Sequence, residues 1–226
     1  MIIDGFDKLT LLDYPGCIAC IIFTRGCNFN CSYCQNSSLI KYKSEQGLIS
    51  EDEIINYLNL RKNVLDGIVI SGGEPTIQKN LIDFIKKVKS LKMKVKLDTN
   101  GSNPIVLKKL IDEKLVDYVA MDIKNDFAHY DLVTKCTVNN NILKSIEILK
   151  NSNIDYEFRT TIIKEYHDLN SILEILKIVG ESKYYIQNFK MSELVPDKTL
   201  HGFTEEELKE IKRKLKNYKN VFMRDL

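Results

Sequence analysis

Apolar runs alternate with stretches of helical periodicity along this 226-residue chain. The run CIACIIFT at 17–24 has the length and β-branched content of a buried strand. GIVIS (67–71), KVKLDTNG (94–101), DYVAMDIKN (117–125), DYEFRTTII (155–163) and KYYIQNF (183–189) add five more. Between them, apolar positions recur at helical spacing, as in Leu81, Ile85 and Val88, or Ile142, Ile146 and Leu149. Start and stop signals fit the same pattern. Ser50 with Glu53, and Thr204 with Glu207, have capping-box spacing; Pro104 suits a first helical turn, Asp168 an N-cap and Gly180 a stop. Alternating strands and helices imply βα units around a parallel sheet. Six repeats fall short of the eight that close a barrel. The expected fold is therefore α/β, an incomplete, laterally open (βα)6 partial TIM barrel. One domain is expected over 1–226, with its core at about 14–194 and a C-terminal helical segment at about 203–226.

In parallel α/β sheets, ligands bind at the carboxyl ends of the strands. The unusual polar motifs fall at such ends: a cysteine loop after the first strand, SGGEPT after the second, DTNG after the third and DIKN after the fourth. Asp98 ends the third strand. Asp122 and Lys124, two apart, share a face. Arg159 stands inside an apolar strand, where an unpaired charge is costly, so a carboxylate of the site is its expected partner.

Composition narrows the function classes. Lys and Arg number 33 against 31 Asp and Glu, a net charge of +2 spread along the chain, which gives no electrostatic footprint for nucleic acid. The basic run at 212–220 reads as the solvated face of a terminal amphipathic helix. CIACIIF is too short to span a bilayer, and the acidic residues, glycine and proline near the N-terminus do not form an export signal. These features imply a cytoplasmic protein with no membrane or nucleic-acid partner. In a reducing compartment, six cysteines point to metal or redox chemistry rather than a disulfide framework.

Cys27, Cys31 and Cys34 form C-x3-C-x2-C on one loop. Three thiolates can converge on zinc or on an iron–sulfur cluster. Zinc would need a fourth ligand or an open position, and His129, His167 and His201 are scattered without ligand spacing. Cys17 and Cys20, three apart in a strand, face opposite ways and are expected as small core residues, as is Cys136. A four-iron cluster with three protein ligands and one free iron is the economical reading.

The C-x3-C-x2-C loop, Tyr33 before its last cysteine and GGEP after the second strand together resemble the radical S-adenosylmethionine (SAM) superfamily. With DYPG at 13–16, DTNG and DIK, the chain resembles the activating enzymes of glycyl-radical enzymes, most of all those serving anaerobic ribonucleoside-triphosphate reductase and then those of pyruvate formate-lyase. The resemblance runs from about Phe6 to Leu194. It implies that Cys27, Cys31 and Cys34 ligate a [4Fe–4S] cluster whose open iron binds SAM. SAM is then cleaved reductively to a 5′-deoxyadenosyl radical, which makes a glycyl radical on a partner enzyme. It further implies that SGGEP, Ser71 to Pro75 with Gly72, Gly73 and Glu74 at its centre, presents backbone groups to the SAM ammonium, that Asp98 pairs with it, that Asp122 contacts the ribose and Lys124 the carboxylate or ribose, and that Tyr33 packs near the adenine. Arg159 joins this set. Some relatives carry a SAM-touching histidine on the sixth strand; Gln187 or Asn188 would replace it here. Reduced flavodoxin or ferredoxin is the implied electron donor. Two rival readings are a radical SAM enzyme acting on a small molecule or peptide, and a non-catalytic iron–sulfur carrier or sensor.

Overall fold

A computed structural model describes residues 1–40, 47–137 and 139–224. Eight strands form one sheet in chain order: β1 (Ile3–Thr10), β2 (Ala19–Thr24), β3 (Gly67–Gly72), β4 (Lys94–Thr99), β5 (Tyr118–Asp122), β6 (Asp155–Ile162), β7 (Tyr184–Asn188) and β8 (Val221–Arg224). β1 is antiparallel to β2, and every later pair is parallel. Among the described residues β1 and β8 do not pair, so the sheet curls without closing. The six expected strands are β2 to β7. The two edge strands are additions, and β8 replaces the end of the helical segment expected to 226, whose last two residues lie outside the described ones.

Helices connect the parallel strands: α1 (Glu51–Arg61), α2 (Leu81–Ser90), α3 (Pro104–Asp112), α4 (Tyr130–Thr134), α5 (Asn139–Lys150), α6 (Leu169–Val179) and α7 (Glu205–Leu215). Their caps follow the sequence. Ser50 Oγ accepts from the Glu53 amide at 3.1 Å, and reciprocal capping boxes open α6 at Asp168 and α7 at Thr204. Gly180, at φ +62°, ends α6.

Strand parity divides the core. Cys20, Ile22, Ile68, Ile70, Val95 and Leu97 point outward and are buried against the helices. Ala19, Ile21, Val69 and Ala120 point inward, where Tyr14, Cys17 and Tyr118 fill the concave side. Cys17 and Cys20 thus lie in opposite layers, as their spacing predicts. No helix among the described residues is long and apolar enough to cross a membrane.

Candidate active site

The loop after β2 carries the three clustered cysteines and is tied to its surroundings from several directions. The Gly26 amide donates to the Leu39 carbonyl at 2.6 Å, the Asn30 amide to Thr134 at 3.1 Å and the Asp197 amide to Ser32 at 3.1 Å. Asn28 joins the β4 end through Ser102 Oγ at 2.7 Å and the Asn100 side chain at 3.0 Å. Cys27, Cys31 and Cys34 all line one cavity of about 360 Å³, a size suited to a small-molecule ligand. Burial pushes the Cys27 thiol up to about 11 and the Cys31 thiol up to about 12, and raises Cys34 as well. A metal that takes these sulfurs as thiolates must therefore displace their protons.

The opposite wall is built from strand ends. Asp98 accepts from Ser71 Oγ at 3.1 Å and lies 3.5 Å from Arg159 Nη1. Parallel register places Asp122 beside Arg159, whose Nε donates to it at 2.8 Å, while Lys124 Nζ reaches its other oxygen at 3.0 Å. Burial would raise the Asp122 carboxyl, but the two cations hold it well below the usual carboxylate range. Burial would lower the Lys124 ammonium, but Asp122, by charge and hydrogen bond, together with Tyr33 and Cys31 shifts it well upward. Its ammonium stands 5.9 Å from the centre of the Tyr33 ring.

Most of the residues expected from sequence meet at this cavity: Tyr33, Gly72, Gly73, Asp98, Asp122, Lys124 and Arg159 line it beside the cysteines. Glu74 does not. It is fully buried behind the rim, accepting from the Thr76 amide (3.0 Å) and hydroxyl, the Thr99 hydroxyl (2.7 Å) and the Asn100 amide (2.6 Å). Burial raises its carboxyl despite these donors. The Glu74 side chain is thus a clasp between the ends of β3 and β4, which leaves only its backbone for the contact expected from sequence.

The glycines also have a nearer reason than ligand approach. A Cβ on Gly72, at φ +118°, would lie 2.2 Å from the Thr24 nitrogen, and one on Gly73 would lie 2.0 Å from the Gly26 oxygen. Of the β7 pair, Gln187 lines the cavity. Asn188 uses both ends of its side chain on the Phe203 backbone, at 2.9 Å each, and does not line the cavity. Cys136 is half-buried and packs against the edge of the main core, and its Sγ–H donates to the Asn28 carbonyl at 3.2 Å. Sequence reasoning missed Asp13, Phe29 and Thr161 on the lining, and for Ser71 foresaw the backbone but not the hydroxyl that holds Asp98. Strand parity alone could have found Thr161, which shares a face with Arg159.

The charged lining comprises three carboxylates, Asp13, Asp98 and Asp122, against Lys124 and Arg159. This balance suits a ligand of net positive charge with both an ammonium and a carboxylate. Three thiols line the same cavity, and thiolates are the ligands that iron–sulfur clusters take. An open α/β barrel with this site defines a class of enzyme built to hold a cluster and a cationic cosubstrate side by side. Residues 21–179 match the family model of the Radical SAM superfamily.

The chain belongs to the radical SAM superfamily, whose members use a [4Fe–4S] cluster and SAM. It is 37% identical to a Methanocaldococcus jannaschii protein named "Putative glycyl-radical enzyme activating enzyme", over 100% of this chain and 96% of that one. It is 27% identical to the GTP 3′,8-cyclase of Helicobacter pylori, over 92% of this chain and 64% of that protein. In fold it is similar to Streptococcus suis SuiB bound to S-adenosylmethionine, with a TM-score of 0.71 at 15% identity. That match covers 91% of this chain and half of SuiB.

Proposed function

We propose that this protein is the activating enzyme of a glycyl-radical enzyme, with anaerobic ribonucleoside-triphosphate reductase as its partner and reduced flavodoxin or ferredoxin as its electron donor. The observation that carries the reading is the meeting of three loop thiols with Asp98, Asp122, Lys124 and Arg159 in one cavity. Similarity over nearly the whole length of a relative named for glycyl-radical enzyme activation supports this choice over other radical SAM reactions. The alternative is activation of pyruvate formate-lyase or another glycyl-radical enzyme.

Cys27, Cys31 and Cys34 hold the cluster in this reading. When bound, it supplies the low-potential electron that cleaves SAM and starts hydrogen abstraction from a glycine. Asp98 takes the SAM ammonium in a charge-assisted hydrogen bond, with backbone at Gly72 and Gly73 alongside. Asp122 orients the ribose hydroxyls, Lys124 the carboxylate or ribose, and Tyr33 and Gln187 flank the adenosyl end. Arg159 holds both carboxylates in place.

The test is anaerobic reconstitution with iron and sulfide, reduction with dithionite and assay for 5′-deoxyadenosine. An intact [4Fe–4S] protein that never cleaves SAM would falsify the reading. Adding the reductase should give a glycyl-radical doublet in electron paramagnetic resonance. A doublet only with pyruvate formate-lyase would reassign the partner.

A further inference from the structure

Beneath the cavity, the concave face of β4 carries a charge that the site so far does not use. Lys96 lies two residues before Asp98, so both side chains point inward. It is only 2% exposed, its ammonium pairs with Asp98 Oδ1, and the centre of the Tyr118 ring lies 6.0 Å from it. A buried ammonium needs an anionic partner, and losing either member of such a pair strands the other. Lys96 does not line the cavity. Whatever it does for a ligand, it does through another residue.

That residue is Asp98, which is gripped at both oxygens. Lys96 holds Oδ1; Ser71 Oγ at 3.1 Å and the more distant Arg159 Nη1 at 3.5 Å hold Oδ2. Arg159 commits its Nε to Asp122 at 2.8 Å, and Lys124 closes the row at 3.0 Å. Charges therefore alternate from Lys96 through Asp98, Arg159 and Asp122 to Lys124, and each carboxylate has a cation on both sides. Without Lys96, Asp98 would be left with the more distant Arg159, would draw its guanidinium toward itself and would loosen its bond to Asp122. One deletion would disturb both acidic groups.

We propose that Lys96 is a positioning residue that fixes the Asp98 carboxylate at the cavity wall for the ammonium group of SAM, and so sets how tightly SAM is held. The inference rests on the role given to Asp98 under Proposed function. A purely structural ion pair would affect stability and leave affinity alone. A through-space effect of the Lys96 charge would do the opposite of positioning, since removing a cation favours a cationic ligand.

The experiment uses cluster-reconstituted wild type, Lys96→Met, Lys96→Arg, Asp98→Asn and the Lys96→Met/Asp98→Asn double variant, each checked for iron and sulfide content. SAM dissociation constants come from equilibrium dialysis, with urea midpoints alongside. Lys96→Met should weaken SAM binding about tenfold or more and raise KM with little change in kcat, and Lys96→Arg should recover most of the loss. In the Asp98→Asn background, Lys96→Met should add less than about twofold, because the coupled pair is already broken. Wild-type or tighter binding by Lys96→Met, with Asp98→Asn weakened, overturns this inference and leaves the Asp98 reading standing. Wild-type binding by Asp98→Asn overturns that reading and the inference with it. If Lys96→Met fails to take up iron, Lys96→Gln, which keeps a donor without the charge, makes the same comparison.

Discussion

Gly73 shows how tightly single residues are specified around the cysteine loop. Its amide donates to the Thr24 carbonyl at 2.8 Å, and the next amide donates to Gly26 at 2.8 Å, so two backbones run in contact where a side chain would stand. Gly73→Ala would place a methyl group 2.0 Å from the Gly26 oxygen, with only backbone to yield. Cys27, the next residue along, would move with it. Expected outcomes are a loss of about 2–4 kcal/mol in urea unfolding, as for other strained or overpacked sites, and lower iron content after reconstitution. Undiminished iron uptake by a stable variant would refute the argument. The cavity residues Cys27, Cys31, Cys34, Asp98, Asp122, Lys124 and Arg159 were legible because each sits at a strand end or shares strand parity with one that does. Glu74, Asn188 and Lys96 were not. Their roles depend on Asn100, on Phe203 and on which carboxylate shares the barrel interior, and local spacing does not carry that information.

At the scale of elements, the loops after β5 and β6 are joined by one buried histidine. His167 accepts the Ile163 amide on Nδ1 at 3.1 Å, which leaves Nε2–H to donate to the Lys124 carbonyl at 3.0 Å. Only the neutral ring can do both, and burial lowers its pKa. In the unfolded chain the ring protonates as pH falls through about 6.5, while the folded ring resists, so its contribution is complete above that pH and shrinks below it. The wild-type urea midpoint should drop between pH 7.5 and 5.5. His167→Gln should be less stable at pH 7.5, by about 1–3 kcal/mol, and show a shallower acid slope; equal slopes would remove the histidine from the account. The edge strands escaped sequence reading for a related reason. β1, IDGFDKLT, carries a glycine and two aspartates with weak alternation, and β8 is four residues behind a basic helix. Both are strands because a neighbour supplies the ladder, and propensity alone does not announce that.

For the whole molecule, the open sheet gives the proposed partner its route. β1 and β8 are the two edges, and apolar groups stand at both: Leu12 after β1 is 92% exposed, and Phe222 on β8 is 42% exposed and stacked on Tyr185 with ring centres 5.1 Å apart. Unpaired edges and exposed apolar groups are common features of surfaces that meet another chain. The outer helices, by contrast, shield the sheet from the far side, where α2 buries Leu81, Phe84, Ile85 and Val88. In the proposed reading, a glycine-bearing loop reaches the wall of Asp98 and Asp122 between these edges. Hydrogen–deuterium exchange of the reconstituted protein, with and without the reductase, tests this directly. Amides in β4 and β5, flanked by strands on both sides, should exchange slowest in either state. Partner binding should slow exchange in β1, β8 and residues 11–18 and leave α2 and α3 unchanged. Protection confined to α2 and α3 would mean that the partner docks on the closed side, and the lateral route would have to be abandoned.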